Sequence, residues 1–192
     1  MEKVKLGPTQ LLYPMPALLV GSKVEGKPNF MTVAWGGMAC GEPAMISLAI
    51  RHPRYTLIGM REHQTFSVNV ASTTQVKEVD YCGIVSGAKD DKVKTCGFKV
   101  FYGKLKTAPM VQQCPVNLEC AVEHMLDLGS HVLVVGKIEE VYVSKDCLTD
   151  DKPDVKKIRP LIWTTLPANV YQGLGEVVAK AFKVGLELKE KT

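Results

Sequence analysis

The chain lacks the features that mark membrane, secreted or disulfide-rich proteins. It contains no apolar run of about 18 residues, so no segment is expected to span a bilayer. Its first residues, 1–7, include no apolar stretch followed by a cleavage site, and no secretory signal is expected. None of its six cysteines forms a C-x-x-C pair, which argues against a zinc site or a thioredoxin-like motif. We therefore expect a cytoplasmic protein whose cysteines are mostly free and buried.

Familiar catalytic signatures are missing as well. The sequence has no G-x-S-x-G, no H-E-x-x-H and no P-loop, and its four histidines are not spaced as metal ligands. We predict neither catalytic hydrolytic residues nor a metal site. The Gly173-Leu174-Gly175 stretch has no clear strand before it, which argues against a dinucleotide-binding turn.

Charge of one sign is not concentrated anywhere. The net charge is +4, and the basic residues are interspersed with Asp and Glu. Proteins that bind nucleic acid usually gather basic residues on one face or in one run. We therefore predict no nucleic-acid partner and no membrane partner.

The pattern that is present is one of short apolar runs broken by Gly, Pro and Asn, which is typical of β-structure. It predicts a single domain over residues 1–192, mostly β with flanking helices. Strands are predicted over 17–22, 30–35, 45–50, 65–70, 116–125 and 130–143. Helices are predicted to begin at Thr56 and to cover 72–79 and 176–188. A long loop is predicted over 81–98, and loops of this length in compact domains often carry function.

Two of these segments suit a phosphate group. Arg51 and Thr56 follow a strand at a predicted helix start, where free N–H groups and a guanidinium favour an anion. Residues 86–92 combine glycine with Lys89 and Lys92. Together they favour a phosphate-bearing ligand, although ordinary surface loops have a similar composition.

At these positions the sequence resembles a known family. The stretches N-x-M-T-x-A-W over 29–35 and Y-C-G-x-x-S-G-x-x-x-D-K over 81–92 are the most specific. Further matches are Gly129-Ser130-His131 and Tyr171-Gln172-Gly173-Leu174-Gly175-Glu176. In this order they resemble the flavin reductase-like FMN-binding family, and within it the flavoredoxin group most closely.

The resemblance implies a fold and a function. The implied fold is an FMN-binding split β-barrel, a Greek-key-like six-stranded antiparallel barrel that works as a homodimer. The implied function is that of an oxidoreductase, with electron transfer through bound FMN to or from a redox partner protein. The alternative is an NAD(P)H-dependent flavin reductase that supplies reduced flavin to a partner, and a non-catalytic FMN-binding module is a third.

The resemblance also implies roles for individual residues. Those expected to line the flavin ring are Met31, Thr32, Val33, Ala34 and Trp35. Those expected at the phosphate are Arg51 and Thr56, with Ser47 close by. Those expected to close over the flavin from the long loop are Cys82, Gly83, Ser86, Gly87 and Lys92. His131 is expected on a strand that approaches the ring. Cys82 is interpreted as a small packed residue in preference to a redox partner.

Overall fold

The alternating strands assemble into an antiparallel sheet in the computed structural model, which describes residues 1–191. The strands are β1 (Met15–Pro16), β2 (Leu18–Val24), β3 (Lys27–Val33), β4 (Gly36–Gly41), β5 (Ala44–Arg51), β6 (Thr65–Val70), β7 (Val100–Phe101), β8 (Met110–Val111), β9 (Val116–Leu128), β10 (His131–Val143), β11 (Leu148–Thr149), β12 (Lys152–Pro153), β13 (Ile162–Thr164) and β14 (Val170–Gln172). The α-helices are α1 (Thr56–His63), α2 (Val76–Ile84), α3 (Lys92–Thr95) and α4 (Val155–Ile158). Short 3₁₀ helices cover Thr73–Gln75, Lys145–Cys147 and Val184–Lys191.

The main sheet has seven strands in the order β3-β2-β6-β9-β10-β5-β4. The hairpins β2–β3, β4–β5 and β9–β10 supply three of the six neighbouring pairs, β6 joins β2 to β9, and β10 joins β9 to β5. A separate small sheet, β1-β13-β14, brings residues near both ends of the chain together. The six strands expected from the sequence are present, and the prediction of a mostly β, split-barrel fold is confirmed.

Two details differ from the expected six-stranded closed barrel. The hydrogen-bonded ladder is open, with β3 and β4 at its edges. The additional strand is β4, whose sequence, Gly-Gly-Met-Ala-Cys-Gly, is glycine-rich and has little strand propensity. Pairing with β5, rather than its own side chains, is what keeps β4 extended.

Two apolar clusters lie on opposite faces of the sheet. On β2, Leu18 and Val20 point into the first cluster, which is also covered by α1 through Leu57 and Met60. Leu19, the residue between them, belongs to the second cluster, which is covered by α2. Because successive side chains of a strand face opposite ways, an apolar strand such as β2 can be buried on both faces.

Helix α2 extends into the segment expected to be a loop. The 3₁₀ helix that leads into α2 begins with a capping box. In it, the Ser72 hydroxyl accepts from the Thr74 N–H, and the Gln75 side chain accepts from the Ser72 N–H. The helix continues to Ile84, so Cys82 and Gly83 lie on its last turn. No helix within residues 1–191 is both long and apolar enough to cross a membrane.

The predicted C-terminal helix over 176–188 is wrong. Residues 173–180 have no regular structure, and a 3₁₀ helix follows only from Val184. The apolar side chains of this segment are largely exposed, as for Val177 at 76% and Phe182 at 99%. An amphipathic face without a packing partner gives a short helix little tertiary support, and isolated short helices are marginal in water.

The packing of α1 on β2 makes a prediction for Gly59. A Cβ at this helical position would overlap the backbone oxygen of Lys23. Gly59→Ala should therefore destabilise the protein by about 1–3 kcal/mol, even though alanine favours helices. Gly37→Ala, where nothing lies within 4 Å of the added Cβ, is the matched control. Urea unfolding of both variants tests this, and an unchanged or raised stability for Gly59→Ala would contradict the described packing.

Candidate functional site

Two adjoining clefts lie beside the edge strand β3 and the end of β5. The first, called the aromatic cleft, has a volume of about 510 Å³ and contains Trp35, His131, Trp163 and Tyr171. The second, called the basic cleft, has a volume of about 340 Å³. The two clefts share four residues, which are Met31, Arg51, Arg54 and Gly83. They therefore form one elongated site with an aromatic end and a basic end.

Flat side chains shape the aromatic end. The rings of Trp35 and His131 are stacked, with centroids 4.7 Å apart and planes at 21°. Trp163 on β13 and Tyr171 on β14 line the same cleft. Tyr171 is held by its hydroxyl, which donates to Asp80 at 3.1 Å. Such a cleft suits a planar, conjugated ligand.

The backbone of β3 and the residues after it form the floor of the aromatic cleft. Residues 31–35 line it, and β3 has a strand neighbour on one side only. An edge strand leaves alternate N–H and C=O groups without a ladder partner. Met31 and Val33 are each 4% exposed because their side chains point into the first apolar cluster. This segment therefore offers the cleft mainly main-chain hydrogen-bonding groups.

The basic end contains cations and no carboxylate. Among residues 1–191, its lining includes Arg51, Arg54 and Lys92 but neither Asp nor Glu. Burial and repulsion from Arg51 lower the pKa of Arg54. Burial also lowers the pKa of Lys92; Cys82 opposes the effect, repulsion from Arg54 adds to it, and the Asp90 carboxylate, outside the lining of this cleft, opposes it more weakly. A cluster of mutually repelling cations gains stability when an anion enters it.

The last turn of α2 holds two of these cations. Arg54 Nη1 donates to the carbonyl of Gly83 at 2.8 Å. Lys92 Nζ donates to the carbonyl of Val85 at 3.1 Å and to that of Cys82 at 3.4 Å. Carbonyls at a helix C-terminus lack helical partners and carry partial negative charge, so they favour cations.

Thr56 reaches the basic cleft, but not as the expected helix cap. The N-cap of α1 is Tyr55, which makes no side-chain capping bond. The Thr56 hydroxyl instead accepts from Asn29 Nδ2 at 2.6 Å, and both residues are buried. The hydroxyl is thereby fixed at the first turn of α1, where the helix dipole favours an anion.

Most of the residues expected in the site come together. Those in the aromatic cleft are Met31, Thr32, Val33, Ala34, Trp35, Arg51, Gly83 and His131. Those in the basic cleft are Met31, Arg51, Thr56, Gly83, Ser86, Gly87 and Lys92.

Ser47 is not brought to the basic end. It lies on β5 four residues before Arg51, a separation of about 13 Å along a strand. Its hydroxyl donates to the Gly37 carbonyl at 3.2 Å. It lines a separate cleft under residues 9–16, so the structure does not place it near Thr56.

The side chain of Cys82 lines neither cleft. It is fully buried in the second apolar cluster, and burial raises the pKa of its thiol to about 12. A thiol with this pKa stays protonated at neutral pH and is a poor nucleophile. The structure therefore places Cys82 as a packed core residue, in line with the preferred interpretation.

Sequence reasoning missed Arg54, Trp163 and Tyr171. Arg54 has a local signal, since it lies between Arg51 and Thr56 in a segment already associated with phosphate. Tyr171 begins the stretch 171–176 that resembles the family, although no role was expected for it. Trp163 has no such signal, because only the pairing of β1 with β13 and of β13 with β14 brings it to the cleft.

Comparisons with known proteins agree on one family. The model of the flavin reductase like domain family matches residues 11–165. A flavoredoxin structure from Methanosarcina acetivorans is 40% identical, with a TM-score of 0.93, covering 98% of this chain and 100% of that one. The flavoredoxin of Desulfovibrio vulgaris (Miyazaki F) is 34% identical, with a TM-score of 0.89, covering 96% and 100%. An uncharacterized protein of Archaeoglobus fulgidus is 36% identical over 146 residues, 76% of this chain and 81% of that protein.

The electrostatics of His131 predict a pH effect on the ligand-free protein. Burial, with repulsion from Arg51 and His52, lowers the pKa of His131 in the fold. The unfolded chain therefore binds a proton more readily, and stability should fall as the pH drops below about 6.5. As the pH falls from 8 to 5, the melting temperature of His131→Gln should decline less steeply than that of the natural chain. Parallel curves for the two proteins would contradict the described environment of His131.

Proposed function

The chain belongs to the flavin reductase like domain family, and we propose that it binds FMN and transfers electrons through it. The observation that carries the proposal is the union of the two clefts. An aromatic cleft opens into a cleft that contains Arg51, Arg54 and Lys92 without a carboxylate among the described residues. This arrangement matches a molecule with a flat conjugated ring at one end and a phosphate at the other.

The donor set of the basic cleft fits a terminal phosphate. A phosphomonoester carries up to about two negative charges at neutral pH. Arg51 and Arg54 would neutralise them, and the Thr56 and Ser86 hydroxyls lie in the same cleft as further hydrogen-bonding groups. Charge-assisted bonds from guanidinium to phosphate are among the strongest hydrogen bonds in proteins. Arg54 is held in place beforehand by the Gly83 carbonyl, which reduces the entropy lost on binding.

The aromatic cleft fits the flavin ring. The backbone of residues 31–35 would provide hydrogen bonds to the polar edge of the ring, and Trp35, Trp163 and Tyr171 would provide flat apolar contacts. When bound, FMN itself supplies the redox chemistry, and the protein positions it and sets its potential. No acid or base side chain of the chain has to act, which agrees with the lack of a catalytic constellation in the sequence.

We also propose that the protein works as a homodimer of single-domain chains spanning residues 1–192. Large apolar side chains are exposed at many places among the described residues, including Met38 on β4, Leu126 and Leu128 on the β9–β10 hairpin, and Val177, Val178 and Phe182 near the C-terminus. Groups of neighbouring exposed apolar side chains are typical of surfaces that associate with another chain.

We place the protein in the cytoplasm and propose a redox partner protein as its electron donor or acceptor. The six cysteines are free, which fits a reducing compartment. The alternative is NAD(P)H-dependent flavin reduction. A nicotinamide that stacks on the flavin needs no binding motif of its own, so the experiment below separates the two functions.

Removing a cation from the basic cleft should weaken FMN binding. Arg51→Ala and Arg54→Ala should each cost about 1–3 kcal/mol of binding free energy through the loss of charge-assisted phosphate contacts. Titration of FMN with flavin fluorescence measures this. The affinity for riboflavin, which has no phosphate, should change little in either variant.

Arg61→Ala is the matched control, since Arg61 is exposed on the last turn of α1 and lines neither cleft. FMN affinities that stay unchanged in both cleft variants would show that the phosphate does not bind at Arg51 and Arg54.

The electron source can be read from the visible absorbance of the FMN-loaded protein. A reduced ferredoxin should bleach the flavin band, and air should restore it. NADH and NADPH should bleach it no faster than they bleach free FMN. Rapid bleaching by either nucleotide would instead identify the protein as a flavin reductase.

A further inference from the structure

Two rings of the aromatic cleft come from one hairpin, formed by β13 and β14 and here called the aromatic hairpin (residues 162–172). Trp163 and Tyr171 are direct partners across its two strands. Directly opposed residues of an antiparallel pair lie on the same face of the sheet, and both of these line the aromatic cleft. The hairpin therefore forms one wall of the cleft, and its position decides how closely the two rings meet a ligand.

The outer strand of the aromatic hairpin has ladder support on one side only. Strand β14 lies at the edge of its small sheet, next to β13. Trp163 Nε1 donates to Asn169 Oδ1 at 3.1 Å, and Thr164 Oγ1 donates to Gln172 Oε1 at 3.3 Å. These bonds lie within the hairpin, so they stiffen it without fixing it to the remaining chain. Residues 173–180, which follow β14, are exposed and have no regular structure.

The hairpin is tied to other segments at its tip and at its outer strand. At the tip, the Tyr13 hydroxyl donates to the Leu166 carbonyl at 2.8 Å, but Tyr13 belongs to an exposed segment. At the outer strand, the Tyr171 hydroxyl donates to Asp80 Oδ1 on α2 at 3.1 Å. We call this second bond the latch, because it joins the edge of the hairpin to a helix that packs in the second apolar cluster.

The protonation of Tyr171 suits the latch. Burial raises the pKa of Tyr171 to about 12, and the hydrogen bond with Asp80 and its charge add to the effect. The hydroxyl therefore keeps its proton at neutral pH and donates it to the carboxylate. Hydrogen bonds to charged groups are stronger than those between neutral groups.

Through the latch, helix α2 contacts both ends of the elongated site. Carbonyl groups of its last turn accept from Arg54 and Lys92 at the basic end. Asp80, earlier in the helix, accepts from Tyr171 at the aromatic end. Asp80 is exposed and lines neither cleft, so any effect it has on a ligand passes through Tyr171.

We propose that Asp80 is a positioning residue of this site, which through the latch holds the aromatic hairpin against a bound flavin and slows its release. This inference rests on the proposed function, since it assumes that a flavin ring lies in the aromatic cleft. A protein that uses FMN as a prosthetic group has to retain it, whereas a reductase that supplies reduced flavin to a partner has to release it. The latch favours retention.

The rate of FMN release measures the latch. The FMN-loaded full chain is immobilised and washed with an excess of flavin-free flavodoxin, which captures released FMN, and the FMN left on the chain is followed over time. Asp80→Ala and Tyr171→Phe should each raise the release rate about tenfold, as expected for the loss of one hydrogen bond to a charged group. Release rates equal to that of the natural chain in both variants would overturn the proposal.

A double variant shows whether the two side chains act through one bond. Asp80→Ala and Tyr171→Phe break the same hydrogen bond, so combining them should raise the release rate about tenfold and not about a hundredfold. Asp80→Asn keeps an oxygen that can accept from Tyr171 and should restore part of the retention. Effects that multiply in the double variant would show two independent contributions and contradict the latch.

Tyr142→Phe is the matched control for the tyrosine variant. The Tyr142 hydroxyl also donates to a carboxylate, Glu119 Oε2 at 3.3 Å, but Tyr142 lines neither cleft of the site. Its release rate should equal that of the natural chain. An increase as large as that of Tyr171→Phe would assign the effect to a general loss of stability and overturn the latch.

The position of the hairpin can also be measured without flavin. Trp35→Phe leaves Trp163 as the only tryptophan of the chain. In this background, Asp80→Ala should increase the quenching of Trp163 fluorescence by acrylamide, because the hairpin is no longer held against α2. Unchanged quenching would show that the latch does not position the hairpin.

The two proposals fail in different ways. If FMN binds but leaves the natural chain and both single variants at the same rate, the latch is wrong and the flavin function stands. If no FMN binds, the proposed function itself is wrong, and the quenching of Trp163 still decides whether Asp80 holds the hairpin in place.

Discussion

The site depends on the contact between two cations and the carbonyl groups at the end of α2. Arg54 and Lys92 come from different segments, yet both donate to carbonyls of residues 82–85. Without these bonds, two partly buried cations that repel each other would lose hydrogen-bond partners that replace water. The carbonyl groups at the helix end replace some of the hydrogen bonds to water that the cations lose on burial. They also hold the side chains of Arg54 and Lys92 in fixed positions. The cluster can thus persist without a carboxylate that would compete with a ligand.

The position of α2 in turn depends on strand β3. The Thr32 hydroxyl donates to the Val79 carbonyl, and Val79 and Cys82 pack with Phe30 in the second apolar cluster. One short strand therefore has three tasks at once: it packs into both clusters, it seats α2, and it presents its free edge to the aromatic cleft. The site lies at an edge of the sheet because an edge strand still has main-chain groups without a ladder partner.

Local patterns in the sequence predicted the strands well, because buried strands appear in the sequence as short apolar runs bounded by Gly, Pro and Asn. The local patterns did not predict features that depend on pairing or packing with another segment of the chain. Strand β4 is extended because β5 pairs with it, and the segment over 176–188 has an amphipathic pattern, yet its apolar side chains stay largely exposed in the described part of the chain. For the site, segments near one another in sequence, such as 51–56, were recognisable. Trp163 was not, since the small sheet that places it is built from distant segments, and Tyr171 was recognisable only through the stretch 171–176 that resembles the family. Ser47 shows a further limit of prediction from sequence. It lies on the same strand as Arg51 but four residues before it, and so does not reach the basic cleft.

The edge of β3 has a consequence for how this site can change over time. The side chains of Met31 and Val33 face the core, while the backbone between them faces the cleft. Residue identity at these two positions is thus constrained by packing volume, and the groups that meet a ligand are common to every amino acid except proline. Alanine scanning of this strand would measure the loss of side-chain packing but would leave the backbone groups that bind a ligand unchanged. Replacing single amides with esters, which deletes one N–H and spares the side chain, is the modification to which such a surface responds.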